Sequence, residues 1–289
     1  MKPVQTCFWF NTEADEAAEL YCSLFPNSRI LGKVPYDKGG AEAAGQRAGS
    51  LMTVDFELAG LSFLGLNGGP HFKIDPSISL FVACDSEQEI NSLWLGLKQT
   101  ARMDLKEYPF AKKYGWCEDR FGVNWQLILG EAGQKISPAL LFANKKYGKA
   151  DEAIKFYTSV LPDSKVERII RDEKTNAVIH SRVRLAGREF VIMEGPLEHG
   201  FDFSPAMSFI LGCASQAELD GIWSRLSAVP EAEQCGWLCD KYGVSWQIVP
   251  ENWGTMLMNA KPVARERAMA EVLTRKKLDL DRLIRAIDA

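Results

Sequence analysis

Two glutamines stand at matching positions in two similar strings of residues, and they are the side chains best placed to do chemistry. Gln126 lies in GWCEDRFGVNWQLIL, and Gln247 lies in GWLCDKYGVSWQIVP. In residues 123–129 apolar side chains alternate with Asn124 and Gln126, so the two amides share one face of a predicted strand. An amide donates and accepts hydrogen bonds without carrying charge. The pattern favours recognition of a small organic molecule through hydrogen bonds.

Other polar side chains also fall on single faces of predicted strands. Thr53 and Asp55 alternate with apolar neighbours, and Ser79 shares a strand face with Phe81. His180 shares a polar strand face with Arg182 and Arg184, which suits an anionic ligand. Ligand pockets are typically apolar or aromatic with a few convergent polar groups. A solvated sheet face would give the same alternation, so the pocket is a prediction.

Few side chains are suited to a catalytic metal ion. The chain has three histidines, His71, His180 and His199, and zinc, nickel or iron sites require imidazole nitrogens and anionic oxygens. The seven cysteines are scattered and odd in number, which argues against a disulfide framework. Cys235 and Cys239 have no second pair nearby. We predict no cofactor, and a bound divalent metal is the less favoured alternative.

An internal repeat organises the chain. DEAAELYCSLFPNS returns as DEAIKFYTSVLPDS, and PSISLFVACDSEQEINSLW returns as PAMSFILGCASQAELDGIW, in the same order as the two glutamine strings. The repeat predicts one domain over residues 1–131, a second over 135–252, and a helical extension over 253–289. Within each copy, strand and helix patterns give two successive βαβββ modules. The fold class is therefore α+β.

The bulk composition excludes several classes of partner. Hydrophobic residues make up 46% and charged residues 25% of the chain, as in an ordinary globular protein. A net charge of −4 gives no electrostatic basis for binding nucleic acid. No apolar run is long enough to cross a membrane, and the N-terminal residues lack the pattern of a signal peptide. We expect a cytoplasmic protein whose partner is a small molecule.

Four strings resemble one known family: DEAAELYCSLFPNS, LNGGPHFKID, SISLFVACDSEQEI and KKYGWCEDRFGVNWQLIL. They are similar to the PhnB-like branch of the glyoxalase/bleomycin-resistance/dioxygenase, or vicinal oxygen chelate, superfamily. This branch is often labelled "3-demethylubiquinone-9 3-methyltransferase domain". The resemblance implies tandem vicinal-oxygen-chelate domains, each made of two βαβββ modules that form a curved mixed sheet, followed by C-terminal helices. It also implies a ligand on the concave face of each sheet.

In metal-using members of that superfamily, four strands contribute ligands on the concave face. Carried over to this sequence, those places correspond in the first copy to Gln5 or Thr6, Thr53 or Asp55, Ile78 or Ser79, and Gln126, and in the second copy to Ser137, His180, Met207 or Ser208, and Gln247. The usual final-strand glutamate is a neutral glutamine in both copies. We predict these ligand-binding residues: Gln5, Thr53, Asp55, Ser79, Asn124, Gln126, His180, Ser208 and Gln247.

The sequence favours a small-molecule binding protein, and two other functions stay open. One is an enzyme of the same superfamily, either a metal-dependent lyase or isomerase or the methyltransferase of the family label. The other is a non-catalytic interaction protein in which the two copies replace a homodimer interface. Members of the family commonly dimerise by pairing sheets. Both a monomer with internally paired domains and a homodimer are therefore compatible with the sequence.

Overall fold

Four βαβββ-type modules follow one another along the chain, two in each sequence copy. The computed structural model describes residues 2–288. The first module contains β1 (Gln5–Phe10), α1 (Ala14–Leu24), β2 (Arg29–Pro35), α2 (Lys38–Ala44), β3 (Leu51–Leu58) and β4 (Leu61–Asn67). The second contains β5 (Ile78–Cys84), α3 (Glu87–Leu97), β6 (Thr100–Tyr108), β7 (Ala111–Glu118) and β8 (Asn124–Leu129).

The second copy repeats this order without a counterpart of α2 and with one strand fewer in its last module. The third module contains β9 (Ile136–Phe142), α4 (Ala150–Val160), β10 (Lys165–Arg171), β11 (Val178–Leu185) and β12 (Arg188–Glu194). The fourth contains β13 (Met207–Cys213), α5 (Gln216–Leu226), β14 (Trp237–Cys239) and β15 (Ser245–Pro250). The C-terminal extension contains α6 (Trp253–Asn259), α7 (Pro262–Leu273) and α8 (Leu280–Asp288). Within residues 2–288, no helix has the length and apolar character needed to span a membrane.

Matching hydrogen bonds start the equivalent helices of the two copies. Ser86 and Ser215 begin α3 and α5, and each hydroxyl accepts from the backbone N–H three residues later, at 3.2 Å. The first N–H of α1 is bound instead by the side chain of Asn67 at the end of β4, at 2.9 Å. Glu194 at the end of β12 does the same for α4, at 2.9 Å. The first and third modules therefore fix α1 and α4 to their own last strands.

The strands form two mixed sheets, as predicted, but each sheet combines one module from each copy. The seven-stranded sheet has the order β14-β15-β13-β1-β4-β3-β2, and the eight-stranded sheet has the order β10-β11-β12-β9-β5-β8-β7-β6. The joins are antiparallel: Cys7 of β1 lies opposite Ser208 of β13, and Phe81 of β5 lies opposite Ser137 of β9. The sequence led us to expect both modules of one copy in the same sheet, and that expectation is wrong.

The two copies also share their interior. One core cluster contains side chains from both sheets, and it includes the fully buried Trp125 and Trp246. The rings of Phe190 and Phe209, which belong to different sheets, lie 4.9 Å apart. Arg188 begins β12, is buried, and donates through Nη1 to the carbonyl of Ser62 at 2.9 Å. Because this core is common to both copies, we expect them to unfold together.

The C-terminal extension closes one edge and part of one face of the seven-stranded sheet. The backbone N–H groups of Cys235 and Gly236, just before β14, donate to the carbonyls of Arg275 and Lys276 at 2.7 and 2.8 Å. The extension therefore lies beside β14 at the edge of the seven-stranded sheet, whereas in the eight-stranded sheet β6 lies beside the equivalent strand β7. α6 contacts β2, and α7 contacts α2. The expected helical extension is present, and it forms three helices within residues 253–288.

Candidate functional site

The face of each sheet that packs on α1, α3, α4 or α5 is called the outer face here, and the opposite face is called the inner face. α1 and α5 contact the seven-stranded sheet, and α3 and α4 contact the eight-stranded sheet. In β1, Phe8 and Phe10 enter the helix-packed core, so alternation places Gln5 and Cys7 on the inner face. The inner faces correspond to the concave faces of the sequence prediction. Most of the predicted site residues lie on them.

The first polar cluster, defined as Gln5, Asp55, Ser208 and Gln247, lies on the inner face of the seven-stranded sheet. Gln5 donates through Nε2 to Oδ1 of Asp55 at 3.1 Å. Gln247 donates through Nε2 to the hydroxyl of Ser208 at 3.0 Å. The first pair comes from the first copy and the second pair from the second copy. The strand pairing between copies therefore assembles the cluster.

Cys7 lies between the two pairs of the first polar cluster. It is fully buried, and burial raises the pKa of its thiol to about 12, although hydrogen bonding to Gln247 and Ser208 partly offsets this effect. The thiol is therefore protonated at neutral pH, whereas nucleophilic attack requires the thiolate. Cys7 contributes a small, weakly polar wall to the cluster.

Helix α6 lies over part of the first polar cluster. A Cβ atom added to Gly254 would lie 3.5 Å from Oδ2 of Asp55, and one added to Gly32 of β2 would overlap Sδ of Met258. Asp55 is consequently buried, which raises the pKa of its carboxyl group, while the hydrogen bond from Gln5 opposes the rise. The cluster is thus a partly dehydrated site with one carboxyl group.

The second polar cluster, defined as Ser79, Gln126, Tyr114 and His180, lies on the inner face of the eight-stranded sheet. Gln126 donates through Nε2 to the hydroxyl of Ser79 at 2.8 Å. Its Oε1 accepts from the hydroxyl of Tyr114 at 2.6 Å. Burial raises the pKa of Tyr114, so its hydroxyl stays protonated and able to donate. Tyr114 lies on β7, one of the strands whose polar positions the sequence interpretation did not consider.

His180 reaches this cluster from the second copy. Its imidazole ring lies 5.3 Å from the ring of Phe81, the inner-face neighbour of Ser79 on β5. Burial lowers the pKa of His180, and the nearby arginines Arg168 and Arg182 act in the same direction. The imidazole is therefore neutral at neutral pH. It offers both a donor and an acceptor nitrogen.

The charge beside His180 is already compensated. The guanidinium of Arg182 donates to Oε2 of Glu189 through Nε at 3.0 Å and through Nη2 at 2.6 Å. Glu189 also accepts from the hydroxyl of Ser137 at 3.1 Å. The sequence suggested that this region suits an anionic ligand, but the ion pair leaves little net positive charge to attract one.

Side chains of the same sheet cover the second polar cluster. Phe81, Tyr114 and Val191 are buried beneath partly buried residues of the same face: Met103, Tyr108, Trp116 and Met193. Phe110 at the β6–β7 turn is 64% exposed and stacks on Tyr108 at 5.5 Å. The β6–β7 pairing contains three register shifts, so this hairpin is irregular. The cover is therefore apolar, partly aromatic and built from adaptable side chains.

Two predicted residues share the inner faces but stand apart from the clusters. Thr53 lies two positions from Asp55 on β3 and is half-buried. Asn124 at the start of β8 is buried, and its Oδ1 accepts from Nε of Arg102 at 2.6 Å and from Nε1 of Trp116 at 3.2 Å. Asn124 therefore anchors the β7–β8 edge, and its amide oxygen is occupied.

The donor atoms of these clusters do not fit a tightly bound catalytic metal ion. Within residues 2–288, no three His, Cys, Asp or Glu side chains are grouped closely enough to hold one. The first cluster supplies one carboxylate and the second one imidazole, while the other members are neutral amides and hydroxyls. Such a set does little to offset the dehydration of zinc, nickel or iron. We derive no chemical step through a metal.

Two buried carboxyl groups on the outer faces have no counterpart in the sequence predictions. Asp119 accepts from the hydroxyl of Tyr21 at 2.7 Å and from Nε1 of Trp125 at 2.8 Å. Asp240 repeats this pattern in the second copy with the equivalent tyrosine and tryptophan, at 2.8 and 2.9 Å. The repeated DRFG and DKYG strings were the available signal. Both carboxyl groups face the helix core, so their role is structural.

Comparisons with known proteins agree with this architecture. The family model described as 3-demethylubiquinone-9 3-methyltransferase matches residues 2–128 and again residues 134–249. A PhnB protein from Bacillus cereus is 35% identical to the matched part, with a TM-score of 0.40, and the match covers 44% of this chain and 98% of that one. None of the curated proteins compared with the chain matches it.

Two solved structures match most of the chain at low identity. A glyoxalase I variant from Zea mays has a TM-score of 0.57 at 9% identity, and the match covers 89% of this chain and 96% of that one. A different variant of Zea mays glyoxalase I has a TM-score of 0.56 at 10% identity, with coverage of 89% and 95%. At this identity the likeness shows a shared fold. The predicted vicinal-oxygen-chelate architecture is therefore confirmed.

Proposed function

The chain belongs to the family described as 3-demethylubiquinone-9 3-methyltransferase, and from that premise we propose that it binds a small organic molecule on the inner faces of its sheets. Recognition uses hydrogen bonds from amides, hydroxyls and a neutral imidazole. One observation carries the proposal: strand pairing brings predicted residues from different copies into two polar clusters. The proposed contact residues are Gln5, Thr53, Asp55, Ser79, Asn124, Gln126, His180, Ser208 and Gln247.

The second polar cluster is the better binding site of the two. Its cover consists of side chains such as Met103 and Met193, which can change rotamer without moving a helix. The first polar cluster lies under α6, so a ligand there must displace or fit beside that helix. A single chain supplies both halves of each cluster. A monomer is therefore sufficient for binding.

The second polar cluster favours an uncharged ligand with an apolar body and a polar end. Gln126 retains one N–H of its amide group and one lone pair on Oε1 after bonding to Ser79 and Tyr114. Neutral His180 adds a further donor and acceptor on the opposite side. Aromatic and methionine side chains form the remaining walls, which suits an apolar body. The Arg182–Glu189 ion pair gives no preference for an anion.

A compound screen by thermal unfolding tests this proposal, with matched variants in the two clusters. A ligand that binds only the native state raises Tm, because binding stabilises that state. Gln126→Leu should abolish the rise in Tm, and Gln247→Leu, its counterpart in the other sheet, should preserve it. If both variants keep the full rise, or if no neutral compound class stabilises the wild type, the proposal is wrong.

A lyase or isomerase activity at the first polar cluster is the second candidate function. The observation that favours it is Asp55, a buried carboxyl group whose pKa is raised and which is hydrogen-bonded by Gln5. A carboxyl group with a raised pKa, positioned by a second side chain, is suited to proton transfer. Wild-type protein in D2O should then introduce deuterium into a bound compound, as seen by NMR. Asp55→Asn should not, and equal exchange in both proteins excludes this role.

A further inference from the structure

A hollow of about 190 Å³ lies at the carboxyl end of β1, and no residue of either polar cluster lines it. Its walls are aromatic and its rim is charged: Trp9, Phe72 and Phe121 form the walls, and Glu13, Lys73 and Arg120 lie at the rim. The indole of Trp9 donates through Nε1 to the carbonyl of Gly69 at 2.8 Å and meets the ring of Phe72 edge-on at 5.0 Å. These contacts fix the aromatic walls in place.

The rim carries more positive than negative charge. Within residues 2–288, neither Lys73 nor Arg120 takes part in an ion pair, and both are exposed. The guanidinium carbon of Arg120 lies 4.7 Å from the centre of the Phe121 ring, which orients the charge along the aromatic wall. Glu13 supplies the opposing carboxylate, and its Oε2 accepts from the backbone N–H of Thr12 at 2.8 Å.

The second copy shows that the fold does not require these free charges. Lys241 occupies the position of Arg120, and its Nζ lies 2.8 Å from Oε1 of Glu152. Asp202 stands where the first copy has Lys73, and it pairs with Lys146. The residues equivalent to Lys73 and Arg120 are therefore paired within the protein in the second copy. The difference between the copies points to a ligand rather than to a structural need.

We propose that the hollow of the first copy binds a small aromatic carboxylate. The ring of the ligand lies against Trp9, Phe72 and Phe121, and its carboxylate lies between Lys73 and Arg120. The volume suits one ring, because larger drug-like ligands occupy pockets of roughly 300 Å³ or more. No residue of the inner-face clusters lines this site, so the proposal does not depend on the function proposed for them.

Titration with benzoate, followed by ligand-observed NMR or calorimetry, tests the site, and benzamide provides a neutral probe of the same shape. We expect benzoate to bind and benzamide to bind at least several-fold more weakly. Lys73→Gln and Arg120→Gln should each weaken benzoate binding roughly threefold to fivefold, since partly exposed charge pairs contribute modestly. The double variant should weaken it about tenfold or more. Added salt should weaken binding to the wild type.

Two control variants make the test specific. Lys241→Gln changes the equivalent residue of the second copy and should leave benzoate affinity unchanged. Gln126→Leu alters the second polar cluster and should also leave it unchanged, which separates this site from the proposed function. Equal binding of benzoate and benzamide overturns the proposal. An unchanged affinity in the double variant, or an equal loss in Lys241→Gln, overturns it as well.

Discussion

The imidazole ring of His180 lies 5.3 Å from the ring of Phe81, although β9 and β12 separate their strands in the sheet. In a flat sheet, three strand spacings would hold the two backbones roughly 14 Å apart. The two rings meet because the sheet curves toward its inner face. This curvature brings a residue of the second copy beside Phe81, which lies opposite Gln126 in the first copy. A site built from both copies is the consequence.

Replacing the central amide of the second polar cluster should destabilise the protein. Gln126→Leu leaves the buried hydroxyls of Ser79 and Tyr114 without their present partner. An unpaired buried polar group is costly, so the free energy of unfolding should fall by about 2 kcal/mol. Urea unfolding measures the change. In a Tyr114→Phe background the added cost of Gln126→Leu should be smaller, and an equal cost would contradict the described hydrogen bond.

The stability contributed by His180 should depend on pH. Burial lowers the pKa of His180 below its usual 6.5, so the folded state favours the neutral imidazole. This contribution is present above the unfolded pKa and is lost as the pH falls through the folded pKa. Between about pH 7 and about pH 5, wild type should therefore lose more stability than His180→Gln. Parallel pH profiles in urea unfolding would show that His180 is not buried as described.

The contact between α6 and β2 predicts a compensating pair of substitutions. A side chain on Gly32 would overlap Sδ of Met258, so Gly32→Ala should lower the unfolding free energy by about 1 kcal/mol. Met258→Ala removes the obstacle. In that background, Gly32→Ala should cost little. If Gly32→Ala costs the same with and without Met258, then α6 does not lie on this inner face.

The two buried carboxyl groups of the outer faces should tolerate substitution equally poorly. Asp119 and Asp240 each accept four hydrogen bonds, two from side chains and two from backbone N–H groups. An asparagine offers one acceptor oxygen and turns its NH2 toward remaining donors. Asp119→Asn and Asp240→Asn should each cost about 3 kcal/mol in calorimetry or urea unfolding. A near-neutral result for either would contradict a structural role for that carboxyl group.

Much of the fold could be predicted from the sequence, because the repeat and the strand alternation are local patterns. The alternation correctly separated Gln126 from Trp125, and the repeat gave the order of the modules. The join between modules could not be predicted in this way. β1 pairs with β13 and not with β5. The first strands of the modules have similar compositions, so the local sequence gives no signal for that choice. For this reason the sequence led us to expect both modules of one copy in one sheet.

The candidate site was predicted residue by residue but not as an assembly. Gln5 and Gln247 were identified in separate copies, and only the pairing between copies brings them to one face. Tyr114 and the packing of α6 over Asp55 were missed, since both depend on contacts between segments far apart in sequence. The ion pair between Arg182 and Glu189, which bears on the anionic preference suggested for His180, was missed because the sequence pattern does not show which carboxylate lies beside Arg182.

Disulfide formation between the copies tests the central claim most directly. Cys7 lies opposite Ser208 in the seven-stranded sheet, so Ser208→Cys places two thiols side by side across the join. After refolding under oxidising conditions, peptide mass spectrometry should find residue 7 linked to residue 208. The matched variant Ser79→Cys, which would be linked if both modules of the first copy shared a sheet, should give no such link. A bond from residue 7 to residue 79, with none to residue 208, would contradict the assembly of each polar cluster from both copies.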